Sequence, residues 1–206
     1  MKKIILSVIA IIVFGFVNAQ EVKFGVKGGG NVSNFSGDVE GFNSRVGFNV
    51  GAFAEIKLSD KFALQPEVLY SQQGAKIKVA GSIYDGFNYQ HYRGTLKYNL
   101  GYINMPIMFK YYAIENFALQ VGPQIGFLTF AKGRAKHEGV TSEISIKDFY
   151  ETIDFGLNFG ASYDFTKNIF VETRYNLGIS NIAQNEIGDT SKVHNSVFSL
   201  SLGYKF

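Results

Sequence analysis

The segment Thr152-Ile153-Asp154-Phe155-Gly156-Leu157-Asn158-Phe159-Gly160-Ala161-Ser162-Tyr163-Asp164-Phe165 decides the fold. Every odd position from Ile153 to Phe165 is apolar or aromatic, and every even position from Thr152 to Asp164 is small or polar. A strand sends successive side chains to opposite faces, so this pattern is one strand with an apolar face and a polar face; a helix would scatter both sets around its circumference.

The same alternation recurs outward from this segment. Val46, Phe48, Val50, Ala52, Ala54 and Ile56 oppose Arg45, Gly47, Asn49, Gly51, Phe53, Glu55 and Lys57. Val171, Thr173, Tyr175 and Leu177 oppose Glu172, Arg174, Asn176 and Gly178, and Phe198, Leu200, Leu202, Tyr204 and Phe206 oppose Val197, Ser199, Ser201, Gly203 and Lys205. Segments 22–33, 62–73 and 117–127 alternate less tidily. Segment 96–111 changes phase: Leu96, Tyr98 and Leu100 are even, whereas Ile103, Met105, Ile107 and Phe109 are odd. One extra residue near Gly101 would produce that change, which predicts a β-bulge there.

The expectation is therefore eight strands. Short connections at 58–61, 113–116 and 166–168 carry Asp or Asn, and longer polar ones fall near 35–44, 75–95, 131–150 and 182–194. Short turns at one end and long loops at the other is the pattern of an outer-membrane barrel, with the short turns periplasmic. The 206 residues contain 23 Gly, 20 Phe and 12 Tyr, with three Pro and neither Cys nor Trp. Without Cys there are no disulfides, thiolate metal sites, Cys nucleophile or lipid-modified Cys.

Residues 1–19 read as a signal peptide: Lys2 and Lys3, an apolar run from Ile4 to Val17, then Val17-Asn18-Ala19 as a cleavage site, with the mature chain starting at Gln20. The formal charge of +3 includes Lys2 and Lys3. The mature chain is thus close to neutral, and basicity gives no argument for nucleic acid. With no further apolar run of helical-span length, a membrane protein of this sequence has to be a barrel. Periodicity alone also fits a soluble carrier barrel, whose apolar face points inward. Three features favour apolar-out: a polar face of Gly, Asn, Gln and Ser, Phe and Tyr near the ends of the apolar faces, and a last strand closing on Phe206. The expected architecture is all-β, an eight-stranded antiparallel up-and-down transmembrane β-barrel over residues 20–206 in the cell outer membrane.

The chain resembles the PorT-like outer-membrane β-barrel family of Bacteroidota. The matching pieces are Gly25-Val26-Lys27-Gly28-Gly29-Gly30-Asn31-Val32-Ser33, Leu64-Gln65-Pro66-Glu67-Val68-Leu69-Tyr70-Ser71-Gln72, Tyr102-Ile103-Asn104-Met105-Pro106 and Gly122-Pro123-Gln124. Asp154-Phe155-Gly156-Leu157, Arg174-Tyr175-Asn176-Leu177-Gly178 and Leu202-Gly203-Tyr204-Lys205-Phe206 complete the set. Asn104 stands where that family often has an acidic residue. The resemblance implies a small barrel, with an accessory role in protein secretion attached to PorT itself.

Three groups of residues are candidates for function. Lys23, Lys27, Arg45, Glu55, Glu67, Asp154, Glu172 and Arg174 fall on polar faces, and their charges must pair inside a narrow barrel; they read as a plug of ion pairs or as an ion path. His91, His137 and His194 lie in three long loops and carry no local metal-ligand spacing. The stretch Tyr84, Phe87, Tyr89, His91, Tyr92 and Arg93 reads as an external binding surface or as strands extended beyond the membrane. His137 beside Glu138 and His194 near Asp189 give weak support for catalysis, and Gly28-Gly29-Gly30 lacks the Lys-Ser/Thr and helix of a phosphate loop. No catalytic, cofactor or metal residue is assigned. The expected partners are outer-membrane lipid and proteins met through external loops or periplasmic turns, with no nucleic acid and a monomeric state. The alternatives are a small ion or solute pore, a barrel enzyme, and a secreted apolar-ligand carrier.

Overall fold

A computed structural model describes residues 21–84, 87, 89–137, 140–184 and 190–206. The expected signal peptide lies outside them. The strands are β1 (Glu21–Gly37), β2 (Phe42–Lys57), β3 (Phe62–Tyr84), β4 (Tyr89–Ile114), β5 (Phe117–His137), β6 (Val140–Ser145), β7 (Ile153–Asp164), β8 (Ile169–Gly178) and β9 (Val193–Lys205), with a short 3-10 turn at Lys147–Phe149. All pairings are antiparallel, in the order β4-β3-β2-β1-β9-β8-β7-β5-β6, and β4–β5 pairing closes the ring. The closed wall thus has the expected eight strands. β6 is an addition: β5 pairs with β7 through residues 117–127 and with β6 through residues 132–137, so β6 joins only the part of β5 beyond the ring.

The two faces are inverted relative to a soluble barrel. Phe24, Val26, Phe48, Val50, Val68, Phe155, Phe159, Leu200 and Leu202 are exposed on the outer wall, while Lys27, Asn31, Asn49, Glu55, Gln65, Glu67, Lys110, Asn158, Glu172 and Lys205 are buried inside. Apolar side chains in water with charges in the core would be unstable, whereas lipid outside makes the same arrangement favourable. The apolar-ligand carrier is excluded on this ground. Each strand contributes about ten residues to the apolar band, which is what a tilted strand needs to cross a bilayer.

The bulge expected on β4 is corrected. The even residues of β4, from Leu100 and Tyr102 through Asn104 to Lys110 and Tyr112, are all buried, with no change of phase. The hydrophobic pattern switches because the environment does. Beyond the lipid band the outside is water, so apolar residues turn inward: Phe35, Ala75, Leu100, Tyr102, Leu128, Ala131, Ile146 and Ile182 form an apolar core at the long-loop end. A register shift does lie at Gly101/Tyr102, but the extra residue is Thr129 of β5, whose Oγ1 donates to Gly101 O at 2.8 Å. A second shift, between Ser44 and Asn49, faces Gly74, whose φ of +128° is a left-handed conformation that glycine adopts without strain.

Two further connections differ from expectation. Residues 75–84 and 89–95 pair as strands rather than forming a loop, with register running out to Tyr84↔Tyr89. Residues 131–137, 140–145 and 147–149 likewise belong to the end of β5, to β6 and to the 3-10 turn. β3 and β4 have 23 and 26 residues, about twice what the bilayer requires, so β3 to β6 continue as a four-stranded sheet beyond the membrane.

Glycine and phenylalanine meet across the wall. Gly25 is the register partner of Phe53, Gly203 of Phe170, and Gly101 of Phe130. In each pair a Cβ on the glycine would overlap the ring opposite. Inside the barrel, the Phe53 and Phe170 rings also meet edge to face at 5.4 Å. Gly203→Ala is expected to force the buried Phe170 ring out of place and cost about 1–3 kcal/mol, as overpacked cores do. Gly30→Ala, where a Cβ meets nothing within 4 Å, should be close to neutral. Urea midpoints of the two refolded variants in detergent test this; equal midpoints would remove the role assigned to the ring.

Candidate functional site: the lumen and the long-loop end

The lumen is filled in layers. Nearest the short turns, Lys110 Nζ donates to Glu55 Oε2 at 2.7 Å and to Gln65 Oε1 at 3.1 Å, and the Tyr112 hydroxyl donates to Glu55 Oε1 at 2.9 Å. Lys205 pairs with Glu55 at 3.2 Å and Asp164 at 2.9 Å. Both ammonium groups also lie over the Phe170 ring, at 5.7 and 5.2 Å from its centroid. Below this layer a cup of about 400 Å³ opens among the short turns and ends at Glu55, Tyr112 and Lys205.

A second quartet sits above. Both terminal guanidinium nitrogens of Arg174 donate to Glu67, each at 2.9 Å, and Arg174 also contacts Glu172 at 3.0 Å. Lys27 pairs with Glu172 at 2.7 Å and Glu67 at 2.9 Å, and the Gln65 amide donates to Glu67 at 2.7 Å. Each quartet contains two cations and two carboxylates, so each is neutral, as charges removed from water require. Above them the Asn31 amide donates to Ser71, and Asn49 donates to Asn31 while accepting from Ser201. Across the lumen Asn176 donates to Asn158, and Asn158 to Gln124. Space left among these groups amounts to about 30 Å³, room for about two water molecules. The apolar core closes the top.

Four of the eight charges expected in the lumen, Lys27, Glu67, Glu172 and Arg174, form one network; Glu55 belongs to the lower quartet. The other three differ. Lys23 lies at the short-turn mouth, partly exposed, and pairs with Glu21 at 3.2 Å. Asp154 makes no ion pair among the described residues and accepts from Asn195 at 2.8 Å and Ser180 at 2.9 Å. Arg45, at the β2 register shift, donates to Gln73 O at 3.0 Å; partial burial and the like charge of Arg134 lower its pKa. Sequence reasoning missed Lys110, Lys205 and Asp164. Lys205 and Asp164 stand on polar faces of strands already read, and that signal was available. Lys110 likewise stands opposite Ile103, Met105, Ile107 and Phe109, so its signal was available too.

At the long-loop end, Phe35 packs on Phe42 and Tyr98 at 5.3 and 6.0 Å, beside Tyr150 at 6.3 Å. These rings, with Val39, Ile146 and Phe149, line an apolar hollow of about 180 Å³. Of the expected external surface, Phe87 is described and is 90% exposed; the side chains of Tyr84, Tyr89, His91, Tyr92 and Arg93 lie outside the described residues, as do that of His137 and all of Glu138 and Asp189. His194 Nδ1 is 2.7 Å from Ser180 O, so its ring is engaged by backbone.

A closed eight-stranded wall with an apolar exterior, a filled polar interior and short turns at one end defines a small integral outer-membrane barrel. The chain belongs to the outer membrane protein beta-barrel domain family, whose profile matches residues 18–184. Neisserial surface protein A has the same fold: the TM-score is 0.53 at 19% identity, with 91% of this chain and 100% of that one covered. Ail, the attachment invasion locus protein of Yersinia pestis, superposes with a TM-score of 0.49 at 14% identity over 91% of this chain and 100% of its own. Comparison with curated proteins returned no significant match.

Proposed function

We propose that the protein is a non-conducting, non-enzymatic structural or interaction protein of the outer membrane that works through its extracellular end. The filled lumen is the observation that carries this reading: two neutral ion-pair quartets, an amide layer with about 30 Å³ of free space, and an apolar core above them. An ion crossing this path would have to break several buried ion pairs at once. The sheet continued by β3 to β6 offers the larger surface for a partner, and the periplasmic turns offer a smaller one. On this reading the signal peptide is removed between Ala19 and Gln20 and the barrel works as a monomer.

Planar bilayer recording of purified protein tests the closed lumen. No steps above baseline are expected; stable ohmic channels would replace this reading with the small pore. The PorT-like resemblance supports a narrower role beside secretion machinery. Affinity purification from detergent-solubilised outer membranes tests that role: co-purified secretion components support it, and a clean monomer removes it.

A further inference from the structure

We propose that the outward face of the extracellular sheet binds the phosphate groups carried on the headgroup sugars of the outer leaflet in which the barrel sits. The face is read from the strand register. Outward positions beyond the lipid band hold Lys76 and Lys78 on β3, Lys97 on β4, and Lys132 and Arg134 on β5. Lys76 is the direct partner of Lys97, and Lys97 of Arg134. Like charges placed opposite each other on a ladder repel, so the sheet carries a cost that a bound anion would relieve.

Compensation from the protein is small. Glu143 of β6, opposite Arg134, is the one acid at these register positions among the described residues; it accepts from Lys132 Nζ at 2.7 Å and from Arg134 Nη2 at 2.7 Å and Nε at 3.2 Å. Those two bases hold its carboxyl below the usual range. Lys76, Lys78 and Lys97 have no ion pair among the described residues. Among the described residues, five cations therefore stand against one carboxylate.

The position selects the occupant. This face is the direct continuation of the lipid-facing wall. Along β4 the outward residues run Phe109, Ile107, Met105, Ile103, then Gly101, Asn99 and Lys97. Lys97 is six residues beyond the last apolar one, about 15 Å above the edge of the hydrocarbon for a strand tilted by about 40°. Along β5 the order is Val121, Pro123, Ile125, Phe127, then, past the shift at Thr129, Phe130, Lys132 and Arg134. A glycolipid presents the same order, acyl chain first and phosphorylated sugar above it, so one molecule can touch both parts of the face. Cations at this height meet anionic headgroups at short range, where salt screens them less than in open solvent.

The test uses the refolded full barrel in zwitterionic detergent. Diphosphorylated lipid A and its dephosphorylated form are titrated in turn, with bound lipid counted by native mass spectrometry. Wild type should bind the diphosphorylated form at least tenfold more tightly, and the preference should disappear at high salt. Lys76→Gln with Lys97→Gln should reduce it about tenfold, while Lys57→Gln with Lys167→Gln, at the opposite end, should leave it unchanged. A heat-modifiable gel shift confirms that each variant is folded. Equal binding of both lipid forms, an unchanged Lys76/Lys97 variant, or stronger capture of a soluble sulfated glycan than of the lipid would overturn the proposal. The result is independent of conductance, so failure here and failure of the closed lumen are told apart.

Discussion

Glu67→Ala is expected to destabilise the barrel by about 3–5 kcal/mol, the usual cost of removing one partner from a buried ion pair. Glu67 is fully buried and receives Arg174 through two bonds, Lys27 through a third and Gln65 through a fourth. Without it, two cations face Glu172 alone in a dry interior, and one positive charge is left uncompensated. The isosteric Glu67→Gln should lose nearly as much, because it keeps the volume and still removes the charge. Adding Lys27→Met to Glu67→Gln restores neutrality and should recover part of the loss, so the pair is non-additive. Urea unfolding of the refolded proteins measures all three, with Lys27→Met alone completing the cycle. If the double variant is no more stable than the sum of its single changes allows, neutrality is not what holds the lumen.

Phe159→Arg is expected to cost about 2–4 kcal/mol in lipid, the penalty for a cation near the bilayer midplane of a barrel. Phe159 stands at the middle of β7 and faces outward. The effect depends on the solvent around the barrel. At an outward position facing water the same replacement would be near neutral, and Phe159→Leu should be near neutral here. Equilibrium refolding into lipid vesicles gives the measurement; a fully tolerated arginine would contradict a lipid-facing wall at this position.

Most of the wall was legible because one physical rule governs it. At Ile153 to Asp164 the faces alternate as the sequence implies, and the inner and outer sets are those read from the residues. The rule fails where the surroundings change. Ile77 and Val79 are apolar and turn inward, whereas Val68 and Tyr70 on the same strand are lipid-facing at the opposite parity. A reading that assumes one environment must treat such a switch as a backbone irregularity or a loop. It marks the membrane boundary instead, and it hid the β3–β4 extension. The lumen was legible by face and not by height. Glu55, Lys110 and Lys205 converge from three strands, and which residues share a level depends on strand tilt and register, neither of which alternation reports.

The Gly–Phe pairs carry a consequence for how such a barrel can change over time. A ring folded over a glycine leaves neither residue free to vary alone. A side chain gained at Gly203 collides with Phe170, and a small residue at Phe170 leaves a hole beneath two lysines. Drift at these positions should therefore proceed by joint replacement. Gly25 with Phe53 and Gly203 with Phe170 should stand out among related barrels as co-varying columns, even where the flanking lipid-facing residues exchange freely.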